Sequence, residues 1–424
     1  MPHECVVLAD SPAALAEFCG ITALERLLRT LQRCGIRRIT VLSSTPESIG
    51  DQLSRPSWPR AELELTVRNR SDGPVTVEQI VDGVPSDARL ILMVPADSIF
   101  DPRLLESLNS QETPTALVDS NVPTQLEALV AAAPDTARGK LCGPVLIERD
   151  WIASQNGSLT EALHNGLENR TLAALDVAEQ PLYYVPMRRE LRPFWFPAPV
   201  LSNAKLAKRV LLDSTQKGTL DIPAFVHGPI ETFLVSHLCK TSITPNQLTV
   251  LTNIVAWVAT FLFATGRLIP GIVIALIVGV LDGLDGKQAR VKVETTKGGK
   301  LEHWFDAVFE WSWWIALAYY FHASGQLPGA FYYLGLLIAA EAVDGILKGR
   351  VYFTTGKLID ELGTFERIVR LVGGRRNIYV WILAIALILG APATGFVVMA
   401  WLEIATAAVH LPRVIWVLSR RENS

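Results

Sequence analysis

Four carboxylates lie within residues 280–310, and their spacing is the feature of the chain that points most directly to chemistry. Asp282 and Asp285 are three positions apart near the end of one apolar run. Glu302 and Asp306 are four positions apart near the start of the next run. Residues at these spacings share one face of a helix. Four converging carboxylates repel one another unless divalent cations lie between them. The pattern therefore predicts a metal-dependent phosphoryl-transfer site at a membrane surface.

The elements that must position these acids are long apolar segments in the second half of the chain. Mean hydropathy is +0.28 and 50% of residues are hydrophobic, values above those of ordinary soluble proteins. Six segments approach the roughly 17–25 residues that a membrane-spanning helix needs. These predicted spans are 249–266, 269–286, 304–323, 329–347, 377–391 and 394–417.

The loops between these spans alternate in charge. The loop after the second span carries five cations, and the loop after the fourth carries seven. By the positive-inside rule, both termini and the carboxylate loop are expected in the cytoplasm. The cations after the second span are Lys287, Arg290, Lys292, Lys297 and Lys300. A net charge of -3 argues against a nucleic-acid partner. Five cysteines without a C-x-x-C pair indicate reduced thiols.

Residues 201–243 read as a linker that ends in an amphipathic helix at the membrane interface. Thr244 is a candidate N-cap for the first span, and Pro245 suits its first turn. Lys217, Asp221 and His227 precede the interfacial helix. Contact with a substrate is one interpretation of these three residues, and exposure at the surface is the favoured one. The apolar positions at helical spacing are Ile230, Phe233, Leu234 and Leu238.

The sequence DGLDGKQAR at 282–290, followed by a glycine and two spaced acids, resembles the signature of the CDP-alcohol phosphotransferases. That signature reads D-x2-D-G-x2-A-R, then G-x3-D-x3-D. The resemblance covers about residues 215–417. Two departures are visible: the third acid is Glu302, and the gap to Gly298 is one residue short. Starting from Gly299 restores the gap but places His303 and Ala307 at the acidic positions, so the Gly298 register is preferred.

The resemblance implies a reaction in which a CMP-activated phosphoalcohol is transferred to an acceptor hydroxyl and CMP is released. It implies Mg2+ or Mn2+ as cofactor, with two ions. The donor is a CDP-alcohol, and the acceptor is a lipid or a polyol phosphate. The donor alcohol stays open between diacylglycerol and a polar alcohol such as inositol. Membrane lipids and a homodimer are further expected partners.

The resemblance also assigns roles to single residues. Asp282, Asp285 and Glu302 are expected to bind metal, while Asp306 binds metal or takes the acceptor proton. The expected donor contacts are Gly283, Gly286, Ala289 and Arg290. Glu341, Asp344 and Lys348 share the fourth span, where they either pair with one another or line the acceptor site. The acceptor-binding candidates are Lys348, His410 and Arg413, with snorkelling to the interface as the alternative for Arg413.

Residues 1–200 alternate between buried strands and helices, which predicts an α/β domain with a largely parallel sheet. Phrases such as LMVPADSIFDPRLLESL are similar to the nucleotidyltransferases that make NDP-sugars and CDP-alcohols, with Asp97 at the position of a metal-binding aspartate. That family's G-x-G-x-R loop and the following lysine are missing after Ala9. The domain is therefore expected to be degenerate and non-catalytic.

The predicted fold is multidomain. A Rossmann-like, nucleotidyltransferase-type α/β domain occupies 1–200, a linker with an interfacial helix occupies 201–243, and an all-α bundle of six transmembrane helices occupies 244–424. Such a fusion resembles the bifunctional enzymes that make CDP-inositol and then di-inositol phosphate phosphate. Two alternatives remain beside the membrane transferase: the full bifunctional enzyme, and a membrane-anchored scaffold without catalysis.

Overall fold

A computed structural model describes residues 4–422 except 11, 56, 61, 72, 84–88, 156, 219–220 and 295–298, with the side chains of 83, 299–306 and 420–422 also outside the description. The chain divides into two compact units. The first contains Met1–Val185, Arg189–Thr215 and Val291–Glu294. The second contains Pro186–Arg188, Gln216–Arg290 and Thr295–Ser424.

The first unit is an α/β domain built on a mixed sheet. Within the described residues the strands are β1 Glu4–Leu8, β2 Glu17–Phe18, β3 Ile21–Thr22, β4 Arg38–Ser43, β5 Glu64–Asn69, β6 Leu90–Pro95, β7 Ser98–Phe100, β8 Thr115–Asp119, β9 Asp135–Thr136, β10 Gly139–Glu148, β11 Ala173–Asp176, β12 Tyr183–Tyr184, β13 Arg189–Glu190 and β14 Trp195–Pro197. The main sheet runs β11-β8-β10-β6-β1-β4-β5.

Parallel pairing dominates the centre of this sheet. Strand β1 pairs in parallel with β4 and β6, and β4 pairs in parallel with β5. Strand β10 lies antiparallel between β6 and β8. The chain moves from β1 to β4 and β5 on one side and then returns to β6 on the other. The gap beyond the carboxyl ends of β1 and β6 is therefore a topological switch point, where open α/β sheets bind ligands.

Helices cover the sheet of the first unit. They are α1 Ala23–Arg33, α2 Pro46–Ser54, α3 Val77–Gly83, α4 Pro102–Asn109, α5 Thr124–Val130, α6 Arg149–Ala153, α7 Leu159–Glu168 and α8 Ala204–Ser214. Helix α1 begins where the Thr22 side chain accepts a hydrogen bond from the Glu25 amide at 3.1 Å, as an N-cap does. Gly35 follows the helix with a φ of +80°, a conformation that glycine adopts at little cost.

The second unit is helical. Its helices are α9 Ala224–Leu238, α10 Pro245–Ala264, α11 Leu268–Val291, α12 Gly299–Ala323, α13 Ala330–Thr355, α14 Thr364–Val372, α15 Arg376–Ile388 and α16 Pro392–Glu422. In the described part of the chain, four helices are long and apolar enough to cross a membrane, namely α10, α11, α13 and α16. Helices α14 and α15 meet at a bend of 43° and pass the same length and composition test together, so they are either a fifth, broken span or a re-entrant loop. The second unit is thus that of a membrane protein.

Capping and aromatic packing explain where these helices begin and what they bury. The predicted cap at Thr244 is confirmed: its hydroxyl accepts from the Gln247 amide at 3.3 Å, and the Gln247 side chain accepts from the Thr244 amide at 2.9 Å. The bundle core packs Phe263, Trp313 and Trp314 with their side chains fully buried. The Trp313 indole donates to the Ala256 carbonyl at 2.8 Å, so α10 and α12 are joined by a satisfied polar contact as well as by apolar area.

Lys287 and Arg290, two of the cations assigned to the loop after the second span, lie in helix α11 instead. Lys287 is inside α11 and only 1% exposed, and Lys292 is also buried. Arg290 is in the last turn of α11. Lys297 and the Lys300 side chain fall outside the described residues. Placing Lys287 and Arg290 in the loop was wrong, because α11 continues to Val291; Lys292 does follow the helix but is buried.

Candidate functional site

A cavity of about 530 Å3 lies within the second unit, and eleven of its sixteen lining residues are charged. Its acids come from four helices and one short turn, and its cations are Arg188 and four residues between positions 348 and 376. The lining acids are Asp282, Glu310, Glu341, Asp344, Asp360 and Glu403. The lining cations are Arg188, Lys348, Arg370, Arg375 and Arg376. A polar chamber of this size inside an apolar bundle is expensive to form, which marks it as the candidate active site.

Asp282 faces this cavity from α11. Its Oδ2 atom accepts from Arg376 Nη2 at 2.6 Å, and the Arg376 guanidinium lies 4.9 Å from the Phe309 ring centroid. Packing on the ring and pairing with the acid both fix the guanidinium at the cavity wall. A cation therefore sits directly beside the first acid of the motif.

Asp285 lies one turn further along α11 and is buried. Its Oδ2 atom accepts from the Thr249 hydroxyl at 2.6 Å, which ties the motif to α10. Oxygen atoms of Asp282 and Asp285 are the hard ligands that Mg2+ and Mn2+ prefer, so the chemistry of these two residues fits a divalent cation. Their predicted metal role remains a prediction.

The other two acids of the motif lie in α12. The backbone of Glu302 and Asp306 is helical, but their side chains fall outside the described residues. Among the described side chains, no group of three or more His, Cys, Asp and Glu residues is placed to bind a metal ion. The convergence of the four acids therefore stays a prediction, and so does the role of Asp306 as base.

Gly283 provides space for a neighbouring helix. A Cβ atom at this position would collide with the carboxylate of Glu231, which reaches over from α9. Lys287 binds the same helix, α9: its ammonium donates to the Thr232 hydroxyl at 2.8 Å, the Gly228 carbonyl at 3.1 Å and the Glu231 carboxylate at 3.3 Å. Burial raises the pKa of Glu231, which the Lys287 charge opposes. The sequence predicts an amphipathic helix here, but nothing in its spacing indicates that Glu231 packs against α11.

The remaining donor-contact candidates lie on the last two turns of α11. At Gly286, a Cβ atom would stand 3.2 Å from Arg290 Nη1, so the arginine folds back along its own helix. Ala289 is 8% exposed. These positions form one small-residue strip beside a guanidinium. Donor binding at Gly283, Gly286, Ala289 and Arg290 remains a prediction.

The three acceptor candidates fall into two places. Asp344 pairs with the Lys348 ammonium and with His410 Nδ1, the latter at 2.5 Å. Lys348 is 44% exposed and lines the cavity, while its partners Asp344 and His410 are buried and join α13 to α16. Arg413 instead pairs with Glu366, which is 1% exposed, and its guanidinium lies 4.2 Å from the Trp416 ring centroid.

Several cavity cations were not identified from the sequence as site residues. Asp360 accepts from Arg370 at 2.7 Å and from Arg188 at 3.4 Å. In the sequence, Arg370, Arg375 and Arg376 belong to the seven cations after the fourth span, which are interpreted there as charges that set the membrane orientation. Their signal was their density, seven cations in one loop, but nothing in the spacing separated cavity residues from surface ones. Arg188 lies far away in sequence, and no local pattern marks it.

Asp221 and His227 are buried, so their favoured interpretation as surface residues was wrong. Asp221 accepts from the Ala224 amide at 3.0 Å, from Asn377 at 3.4 Å and from Arg375 at 3.5 Å. It therefore orders both the start of α9 and a cation of the cavity wall. Burial lowers the pKa of His227, and the nearby Asp221 carboxylate opposes that shift. A Cβ atom at Gly279 would lie 2.9 Å from the His227 ring, so the glycine makes room for the imidazole.

At the switch point of the first unit, Asp10 and Asp97 follow β1 and β6. Asp10 accepts from Arg70 and from the Ser44 amide, the latter at 3.3 Å. The same arginine donates to the Ser71 and Gly73 carbonyls at 2.8 and 2.9 Å. Burial raises the pKa of Asp97, and the charge of Asp10 adds to the effect. Arg70 therefore pairs with Asp10, the acid that follows β1 at the switch point of the sheet.

The helical half of the chain matches a known family. Residues 242–411 fit the family model of CDP-alcohol phosphatidyltransferases. The bifunctional IPC transferase and DIPP synthase of Rubrobacter xylanophilus is 25% identical over 427 residues, covering 94% of this chain and 91% of that protein. The protein of the same name from Aquifex aeolicus is 28% identical over 209 residues, covering 49% of this chain and 47% of that protein.

Solved structures resemble the other half of the chain. The inositol-1-phosphate CTP transferase from T. maritima has a TM-score of 0.35 at 12% identity, covering 49% of this chain and 96% of that one. The UDP-glucose pyrophosphorylase from Acinetobacter baumanii has a TM-score of 0.37 at 12% identity, covering 50% of this chain and 94% of that one.

Proposed function

We propose, from the premise that residues 242–411 form a CDP-alcohol phosphatidyltransferase domain, that this transferase moves a phosphoalcohol group onto a polyol phosphate. The family implies a CDP-alcohol donor and an acceptor that offers a hydroxyl. The family and the transferase class, both predicted from the motif, are confirmed by this match and by the curated relatives. They favour an enzyme over the non-enzymatic scaffold considered from the sequence.

The observation that carries the choice of acceptor is the cationic part of the cavity wall. Arg188, Arg370 and Lys348 line the same space as Asp282. Guanidinium groups bind phosphate through paired hydrogen bonds and ammonium groups bind it as point charges. A diacylglycerol chain offers nothing to these groups, whereas a phosphate on a small alcohol does. We therefore assign the wall to the acceptor phosphate.

The proposed chemistry forms one phosphorus–oxygen bond and breaks another. The acceptor hydroxyl oxygen attacks the phosphorus that carries the donor alcohol, the bond to CMP breaks, and Asp306 takes the hydroxyl proton. The family is generally dependent on divalent metal; Mg2+ or Mn2+ held by Asp282, Asp285, Glu302 and Asp306 would offset the charge of the diphosphate. Arg376 holds Asp282 in place at the cavity wall.

The proposed setting is a membrane protein with six spans and with both termini and the active site in the cytoplasm. The four apolar helices and the bent pair support the membrane assignment, and the cationic loops support the orientation. Exposed apolar side chains on α9, including Phe225 and Phe233, suit contact with lipid at the interface. A homodimer stays a prediction.

A second candidate function is the bifunctional one, in which the first unit makes the CDP-alcohol. The Rubrobacter relative named as bifunctional aligns over 94% of this chain, which favours it. The missing glycine-rich loop and the Arg70 contact with Asp10 favour a first unit without that activity. We propose the non-catalytic role for residues 1–200.

The test is CMP release by the purified full-length protein in detergent. CDP-inositol and CDP-diacylglycerol would be offered with inositol 1-phosphate or glycerol, each with Mg2+, Mn2+ or EDTA. We expect metal-dependent CMP release that requires a phosphate-bearing polyol and disappears in Asp282→Asn. Equal turnover with unphosphorylated glycerol would contradict the assigned acceptor, and unchanged turnover in Asp282→Asn would contradict the site.

A further inference from the structure

We infer that Glu310, Glu341 and Glu403 determine specificity by accepting hydrogen bonds from the ring or chain hydroxyls of the acceptor. The inference rests on the proposed function and adds the part of the acceptor beyond its phosphate. The three carboxylates come from α12, α13 and α16 and line one cavity with Asp282. They lie on separate helices, so the bundle must be closed around the cavity for all three to face it.

The hydrogen bonds that two of these glutamates make come from neutral donors. Glu341 Oε2 accepts from the Trp311 indole at 3.2 Å, and Glu403 Oε2 accepts from the Tyr379 hydroxyl. An ionised carboxylate can accept about four hydrogen bonds. Each contact therefore orients the carboxylate and leaves it able to accept further hydrogen bonds from a ligand. This is expected of a residue that recognises hydroxyl groups.

A second observation points to a hydrogen-bonding ligand in the same cavity. Asp360 is 6% exposed and lines the cavity; its Oδ1 atom is buried and has no hydrogen-bond partner in the described part of the chain. The Nε atom of Arg370, which is a donor, is likewise buried and has no hydrogen-bond partner among the described residues. Buried polar atoms are nearly always paired in folded proteins. Asp360 and Arg370, which both line the cavity, therefore retain one unpaired acceptor atom and one unpaired donor atom beside it, and a ligand that carries both hydroxyl and phosphate groups has the matching chemistry.

The distribution of charge explains why both signs occur. A wall built to bind phosphate alone would gain from cations and lose from carboxylates, since like charges repel. Carboxylates on such a wall become favourable toward a ligand when that ligand supplies hydrogen-bond donors. Hydrogen bonds to a charged group are about twice as strong as those between neutral groups, so a polyol with several hydroxyls offsets the repulsion that its phosphate feels. A single-hydroxyl lipid acceptor cannot do so.

The test measures equilibrium binding of two probes, inositol 1-phosphate and inorganic phosphate, to the full-length protein in detergent. Glu341→Leu removes charge and acceptor atoms. We expect it to weaken inositol 1-phosphate binding by about tenfold while inorganic phosphate binds equally well or more tightly. Glu341→Gln keeps the side-chain volume and should weaken the polyol phosphate by about threefold. Glu310→Gln and Glu403→Gln should show the same divergence.

Asp119→Asn is the control, because Asp119 is a buried acid of the first unit that pairs with Arg192, away from the proposed acceptor cavity. It should change neither affinity. The inference is overturned if both probes shift in the same direction in the Glu341 variants, or if the wild-type protein does not prefer inositol 1-phosphate to phosphate. Binding needs no turnover, so these results are independent of the CMP-release assay that decides the proposed function.

Discussion

Both units place aspartates beside arginines at a position where ligands commonly bind, yet the two arrangements differ in what the arginine leaves open. In the first unit, Arg70 donates hydrogen bonds to Asp10 and to two loop carbonyls. In the second unit, Arg376 pairs with Asp282 at the wall of a 530 Å3 cavity that three further arginines also line. Pairing of acid with cation therefore does not identify a site. Space and surplus hydrogen-bonding capacity beside the pair do.

The largest difference between the units should appear when matching aspartates are changed. Asp282→Asn removes a charge from the proposed metal and diphosphate site, so CMP release should fall about 10²- to 10³-fold, as several kcal/mol of lost charge stabilisation implies. Asp97→Asn in the first unit should leave CMP release within about twofold. Comparable losses in both variants, measured by initial rates at saturating donor, would erase the contrast.

The cationic wall of the second unit can be tested through acceptor affinity. Arg370→Gln removes a guanidinium that faces the cavity, and we expect the acceptor KM to rise about tenfold, the usual worth of a charge-assisted phosphate contact. The donor KM should not change. Arg367→Gln, three residues away and exposed, is the control. An increase in the donor KM alone would show that the cationic wall binds the donor and not the acceptor.

Stability should respond to buried cations in both units, which sharpens the comparison. Lys287→Met leaves Glu231 without its cation and should destabilise the second unit by about 3 kcal/mol; adding Glu231→Gln should restore most of the loss. Arg70→Met should likewise destabilise the first unit and be rescued by Asp10→Asn, with CMP release preserved. Thermal unfolding in detergent measures both pairs. Failure of either rescue would mean that the lost packing, and not the unpaired acid, causes the effect.

The smallest effect concerns pH. Burial holds the pKa of His227 below its usual value near 6.5, so the unfolded chain takes up a proton more readily than the folded one. Stability from this residue is full above pH 6.5 and is lost as the pH falls below it. The midpoint of thermal unfolding should therefore drop less between pH 7.5 and 5.5 in His227→Gln than in the wild type. A larger decrease of the unfolding midpoint in His227→Gln than in the wild type would contradict the predicted direction of the His227 pKa shift.

Local patterns in the sequence predicted much of the fold. The capping box at Thr244, the strand ending near Asp97 and most of the apolar helices are written in short windows of sequence, so propensity and hydrophobic period suffice to find them. The mixed character of the sheet was less visible. Strand β10 is antiparallel between β6 and β8, a pairing decided by long-range topology.

The candidate site shows the limit of the same reasoning. The motif placed Asp282 and Asp285 correctly on one helix because their spacing is local. The partners that give those acids their surroundings are Thr249, Arg376 and Glu231, which lie 36, 94 and about 50 positions away in sequence. Lys287 looked like a loop charge because membrane loops are rich in lysine, and only tertiary packing turned it into a buried anchor.

The most direct test of the contrast between the units is to measure one product in each of two parallel reactions. Full-length protein in detergent would receive CTP and inositol 1-phosphate in one vessel, and CDP-inositol and inositol 1-phosphate in another, both with Mg2+. We predict CMP from the second vessel and no pyrophosphate from the first. Pyrophosphate from the first vessel, abolished by Asp97→Asn, together with no CMP from the second, would contradict the account.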